Sequence, residues 1–116
     1  QQLYVADAGR THGAPYPKHI RVFDVQGDRV TGGRVFADCT AGLFDGFRLD
    51  VDGRIWTSAE DGVHCYEPDG TLIGKILVPE VVANVCFGGV KRNRLYICAT
   101  TSLYAVYVMT NGAKTY

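Results

Sequence analysis

The chain has 116 residues, 47% of them apolar and 11% aromatic, which is enough for one buried core and too few for two ordinary domains. Lysine plus arginine and aspartate plus glutamate each number 12, so the formal charge is zero and no long-range field gathers nucleic acid or acidic lipid. No apolar run approaches the ~20 residues of a membrane helix, so a small, weakly charged ligand is the better fit.

Gln1 to Ala6 reads as a strand from the outset, with no initiating Met and none of the basic and apolar regions of a signal peptide. The chain is therefore expected to begin inside a larger fold. Asp7 ends this strand, either lining a ligand entrance or simply closing the strand. The next segment, Ala8 to His19, is rich in polar and aromatic groups; His12 within it is a base or ligand contact, or merely exposed. Ile20-Arg21-Val22-Phe23 resumes a strand and leads to a turn at Gly27.

Beyond Cys39, alternating apolar residues separated by Asp-Gly pairs predict strands at Gly46–Val51, Arg54–Ser58, Gly62–Tyr66 and Leu72–Val78. Val82-Ala83-Asn84 opens the next strand, followed by strands around Leu95–Cys98 and Leu103–Val106, before Asn111-Gly112. The fold class is all-β.

The strands repeat. Leu3-Tyr4-Val5-Ala6 matches Ile55-Trp56-Thr57-Ser58 and Leu95-Tyr96-Ile97-Cys98, and the last two copies lie 40 residues apart. A period of about 40 with several strands per unit is that of a propeller blade. The expected division is a partial blade with an inserted loop at 1–38, a complete four-stranded blade at 39–81, and a blade lacking its outer strand at 82–116. Such a piece needs the remaining blades to close a ring.

An up-and-down meander places the connections between blades on the same face as the loops joining second to third strands. That face is expected to carry Asp7, the inserted loop, Asp45, Ala59-Glu60-Asp61, Asn84 and Ala99–Ser102. The inserted loop follows from spacing: Leu3 to Ile20 spans 17 positions, against 8 for Ile55 to Val63. Long loops on rigid scaffolds tend to bind ligands, the alternative being a floppy surface excursion.

Asp45 sits between apolar residues where a strand enters the channel wall, where an unpaired charge is costly. It is either a hard-oxygen metal ligand or a turn cap accepting backbone N–H groups. Asn84, one blade later, is a substrate or second-layer hydrogen-bonding group or a turn stabiliser.

Other signals have plainer readings. Asp50-Val51-Asp52-Gly53 lacks the later Gly and Glu of a calcium loop and is a hairpin turn. Lys91 to Arg94 is a solvated turn. His64 and Cys65 point to opposite sides of one strand and cannot share a metal. The four cysteines lack zinc-site spacing and are expected to be free and buried, which points to a reducing compartment such as the cytoplasm.

The stretch from Asp45 to Glu80, with Val82-Ala83-Asn84-Val85-Cys86-Phe87-Gly88-Gly89 and Arg94-Leu95-Tyr96-Ile97-Cys98, is similar to the closing blades of the gluconolactonase/regucalcin (senescence marker protein) family. The resemblance runs along nearly the whole chain. It implies a six-bladed β-propeller, of which this chain supplies about the last two to two-and-a-half blades. It also implies one divalent cation, calcium first and zinc second, and a hydrolase that opens a sugar lactone or related ester.

The family has Pro-Asp-Gly before an innermost strand, its Asp serving as a metal ligand implicated in catalysis, and Asp45 falls on it. Phe44 stands where that motif usually has proline. The family's other metal ligands, a Glu and an Asn, have no counterpart in these residues, so the chain alone should be nearly inactive. The rival readings are a non-catalytic propeller binding a small molecule or protein partner, and an ester-handling propeller of the strictosidine synthase type, which lacks the Asp-Gly.

Overall fold

Short runs in which β-branched and aromatic residues alternate with small or polar ones cannot bury a helical stripe, but they can pair as strands with one face inward. The computed structural model, which describes residues 1–114, has ten strands: β1 (Gln2–Asp7), β2 (His19–Gln26), β3 (Arg29–Asp38), β4 (Phe47–Leu49), β5 (Ile55–Ala59), β6 (Gly62–Tyr66), β7 (Leu72–Leu77), β8 (Val82–Gly88), β9 (Arg94–Ala99) and β10 (Leu103–Tyr107). They form antiparallel sheets in the orders β1-β2-β3, β4-β5-β6-β7 and β8-β9-β10. Among the described residues no helix is long and apolar enough to cross a membrane.

The sheets stack through two cores. Ile20, Ala37, Cys39, Phe44, Ile55, Ala59 and Tyr66 join the first sheet to the second. Val63, Val78, Val82, Val85, Phe87, Leu95 and Ile97 join the second to the third. The middle sheet is thus covered on both sides, and all five residues of β6 are buried.

Strand β4 is shorter than its hydrophobic pattern predicts. At its C-terminal end Asp50 N–H donates to Arg54 C=O at 3.0 Å and Gly53 N–H to Asp50 C=O at 3.1 Å, closing the hairpin turn there. Gly53 takes a φ of 79°, a left-handed conformation that glycine adopts without a Cβ penalty. At the other end, Gly46 donates its N–H to the next sheet rather than to its own.

Beyond β10 the described chain leaves the ladder of the third sheet. It crosses to the second sheet's hairpin turn, where Gly112 bridges Asp50, Val51 N–H donates to Asn111 C=O at 2.9 Å and Ala113 N–H to Leu49 C=O at 2.9 Å.

The expectation that all four cysteines are buried holds only for Cys39 and Cys65. All four are free, but Cys86 and Cys98 are exposed. Each alternates with core residues, Val85 and Phe87 in β8 and Ile97 in β9, and so lies on the face of the third sheet that no other sheet of this chain covers. Cys65 and His64 do point to opposite sides: His64 packs edge-on toward Phe44, with ring centroids 6.4 Å apart, whereas Cys65 lines a cleft with Trp56 and Val63.

Candidate active site

The connections between sheets and the loops within them meet on one face. Cys39 N–H donates to Lys18 C=O and Glu60 N–H to Ala41 C=O, both at 2.9 Å, while Thr101 N–H donates to Glu80 Oε1 at 3.0 Å. The inserted loop lies on this side and is braced from within. A single 3-10 turn, Gly9–His12, is followed by a return in which Arg10 N–H donates to Pro17 C=O at 2.8 Å and Tyr16 N–H to Gly13 C=O at 3.2 Å.

Asp45 is placed through its backbone. Phe47 registers with Thr57, so the residues just before β4 lie opposite the end of β5. There Asp45 N–H donates to Ser58 Oγ at 3.0 Å, and Ser58 N–H donates to Gly46 C=O at 2.9 Å. Gly46 N–H crosses to Ala83 C=O of β8, also at 2.9 Å. Ala83 is the extra residue of a bulge, since Val82 pairs with Ala99 and Asn84 with Cys98. A bulge leaves its extra residue out of the ladder, and here the carbonyl is used between sheets.

Only glycine fits at position 46. A Cβ there would stand 1.9 Å from Asn84 Oδ1 and 2.9 Å from Asn84 Cα. Asp45 and Asn84 therefore share one patch, at the same end of two innermost strands. Phe44 is 1% exposed, with its ring 5.7 Å from that of Tyr66, so packing rather than a proline ring anchors the segment before Asp45.

The Asp45 side chain is exposed and carries neither a hydrogen bond nor an ion pair among the described residues. Asn84 Oδ1 accepts from Val85 N–H at 2.9 Å. Asp7 and His12 are not brought to this patch by any hydrogen bond or ion pair. Asp7 has a local role: its Oδ1 accepts from Gly9 N–H at 3.0 Å and its Oδ2 lies 3.9 Å from His19 Nε2. His12 ends the 3-10 turn and is exposed.

Two polar constellations were not singled out from the sequence. Asp61 Oδ1 lies 2.6 Å from Nε2 of the fully buried His64, and Asp61 Oδ2 accepts from Lys75 Nζ at 3.0 Å. Partial burial pushes the Asp61 carboxyl up, but the His64 and Lys75 contacts outweigh it and hold the group below its ordinary value. The second is the trio Ser58, Gly46 and Ala83 that grips the backbone around Asp45. Its signal lay in the pairing of β4 with β5, which puts a hydroxyl-bearing residue opposite Asp45-Gly46.

A cleft of about 490 Å³ lies elsewhere. It opens between the second sheet and the segment after β10 and is lined by Arg54, Trp56, Val63, Cys65, Ile76 and Met109. None of the candidate site residues faces it.

A family model described as SMP-30/Gluconolactonase/LRE-like region matches residues 2–101. The chain belongs to the SMP-30/gluconolactonase/LRE-like family. Over 74 residues it is 35% identical to a gluconolactonase of Zymomonas mobilis subsp. mobilis, a match taking in 62% of this chain and 20% of that protein. Over 61 residues it is 43% identical to pentonolactonase XacC of Haloferax volcanii, covering 50% of this chain and 21% of that protein. A solved gluconolactonase of Xanthomonas campestris superposes with a TM-score of 0.79 at 28% identity, covering 97% of this chain and 34% of the other. The three sheets thus correspond to part of a six-bladed propeller, and the matches to the two lactonases take in about a fifth of each.

Within this SMP-30/gluconolactonase/LRE-like chain, the matched region includes Asp7, His12, Asp45 and Asn84. Among the described residues no group of three or more His, Cys, Asp or Glu side chains could hold a metal ion. Asp45 offers one carboxylate, whereas a calcium ion takes about six to eight oxygens. The described residues do not make a metal site by themselves.

Proposed function

We propose that the complete polypeptide hydrolyses a sugar lactone, or a related ester, with Asp45 at the reacting centre. The observation that carries this reading is the state of Asp45: its backbone is held by Ser58, the following Gly46 packs against Asn84 of the next sheet, and its carboxylate is unengaged and exposed. A side chain with a structural task would be engaged, as Asp7 and Asp61 are.

Lactone opening adds water to the carbonyl carbon and breaks the ring C–O bond, and the water's proton ends on the departing ring oxygen. A positioned carboxylate takes that proton from the water and returns it. Asn84, adjacent to Asp45, is suited to hydrogen-bond a substrate hydroxyl, and Asp7 and His12 belong to the rim of the same face. The reading includes one divalent cation, calcium first and zinc second, with Asp45 contributing one carboxylate and the rest of the polypeptide the other ligands. Four free cysteines support a reducing, cytoplasmic setting.

The test is hydrolysis of gluconolactone by the complete polypeptide and its Asp45→Ala variant, corrected for spontaneous opening, with calcium, zinc or chelator. The expected result is activity abolished by chelator and lowered roughly 10²- to 10⁴-fold by the substitution. A folded wild type inactive on gluconolactone and pentonolactones would turn the case toward a binding propeller.

A further inference from the structure

We infer that Ser58 is the positioning residue for Asp45, an inference that rests on the reading of Asp45 given above. Ser58 is fully buried at the end of β5, between the equally buried Thr57 and Ala59. A hydroxyl in such a place is costly unless hydrogen-bonded, and its bond here is to the N–H of Asp45 at 3.0 Å. The backbone N–H of the same residue holds the carbonyl of Gly46 at 2.9 Å. One residue therefore grips two consecutive positions at the point where the chain enters the innermost strand.

This grip matters because no described side chain aims the carboxylate. Asp45 has no side-chain partner among the described residues, so the direction of its Cα–Cβ bond follows from its backbone alone. That backbone is fixed by Ser58 on one side and by the Gly46 to Ala83 bond on the other. Removing the hydroxyl releases the Asp45 N–H while leaving the ladder bond from Ser58 N–H in place. Ser58 does not touch the reacting atoms in this account; it acts through Asp45. Displacing a reacting group by about 1 Å can lower a rate about 10²-fold.

The experiment is a double-mutant cycle on the complete polypeptide, with gluconolactone as substrate. Ser58→Ala is expected to lower kcat about 10- to 100-fold with KM within about twofold. In the Asp45→Ala background the same change is expected to have no further effect. Ser58→Cys, of similar volume with a weaker acceptor, should fall between wild type and Ser58→Ala, and it stands in should the alanine variant fail to fold. If Asp45→Ala is inactive while both Ser58 variants match wild type, the inference fails and the reading of Asp45 stands. A further loss in the Asp45→Ala background would also overturn it, since Ser58 would then act elsewhere. Full activity in Asp45→Ala would remove both.

Discussion

Strand β4 has an aspartate beyond each end, and the two are used in opposite ways. Asp50, after the strand, is 1% exposed, and both of its carboxylate oxygens are engaged. Oδ1 accepts from Asp52 N–H and Arg54 N–H, each at 2.9 Å; Oδ2 accepts from Trp56 Nε1 at 3.0 Å and from Arg54 Nη1 at 3.3 Å. Asp45, before the strand, is exposed and holds nothing with its side chain. The contrast is between the two ends of one strand: after it a carboxylate closes the hairpin turn, whereas before it the backbone is held by other residues and a carboxylate is left unengaged.

The comparison breaks first at Asp50. Asp50→Ala strips the acceptor from two backbone N–H groups and the Trp56 indole, while Arg54 keeps Asp52 and Glu67. The expected loss of unfolding free energy is about 2–4 kcal/mol in a denaturant titration. Asp45→Ala in the same titration should stay within about 0.5 kcal/mol; equal losses would mean that Asp45 has a structural role after all.

Gly46→Ala comes next, since its Cβ meets the Cα of Asn84 as well as the side chain and the two sheets must move apart. About 1–3 kcal/mol should be lost, against little for Gly74→Ala, whose Cβ would meet nothing within 4 Å. Little or no loss at Gly46 would show that the sheets yield there easily.

The smallest effect is with acid. Burial raises the Asp50 carboxyl, but hydrogen bonds from Trp56, Arg54 and Asp52 outweigh it and hold the group below its ordinary 3.8. Its contribution is present above that ordinary value and is lost as pH falls through the lower, folded-state value. Stability should therefore decline below pH 3.8, less steeply in Asp50→Asn than in wild type, as read from unfolding midpoints across that range. Identical slopes would show that Asp50 does not govern the acid limb.

Much of this was legible locally. Alternation and Asp-Gly turns are properties of neighbouring residues, so the strand order and the 40-residue repeat followed from spacing. The same reasoning put Asp50 to Gly53 in a hairpin turn and left Asp45 divided between ligand and turn cap. The backbone of Asp45 is held by a hydroxyl 13 positions away, and the space that Gly46 leaves is filled by Asn84 from another sheet. Neither partner is a neighbour in sequence. Cys86 and Cys98 misled for a related reason: a strand's periodicity shows that it has two faces, but not whether anything covers the second. The pairing of His64 with Asp61 was within reach, across one tight turn, but a buried histidine gives no sign of its partner in a run of apolar residues.

The inserted loop between β1 and β2 has a different consequence. Its backbone hydrogen bonds run mostly from Arg10 to Pro17, Thr11 to Ala8, Gly13 to Arg10 and Tyr16 to Gly13, with Lys18 C=O, among the described residues, its one backbone tie to the neighbouring connection. Such a loop behaves as a cassette. Exchanging residues 9–17 for a segment of another length leaves the pairing of Asp7 with His19 as the splice point and the ladder beneath unchanged. This part of the face can thus be rewritten without refolding the scaffold.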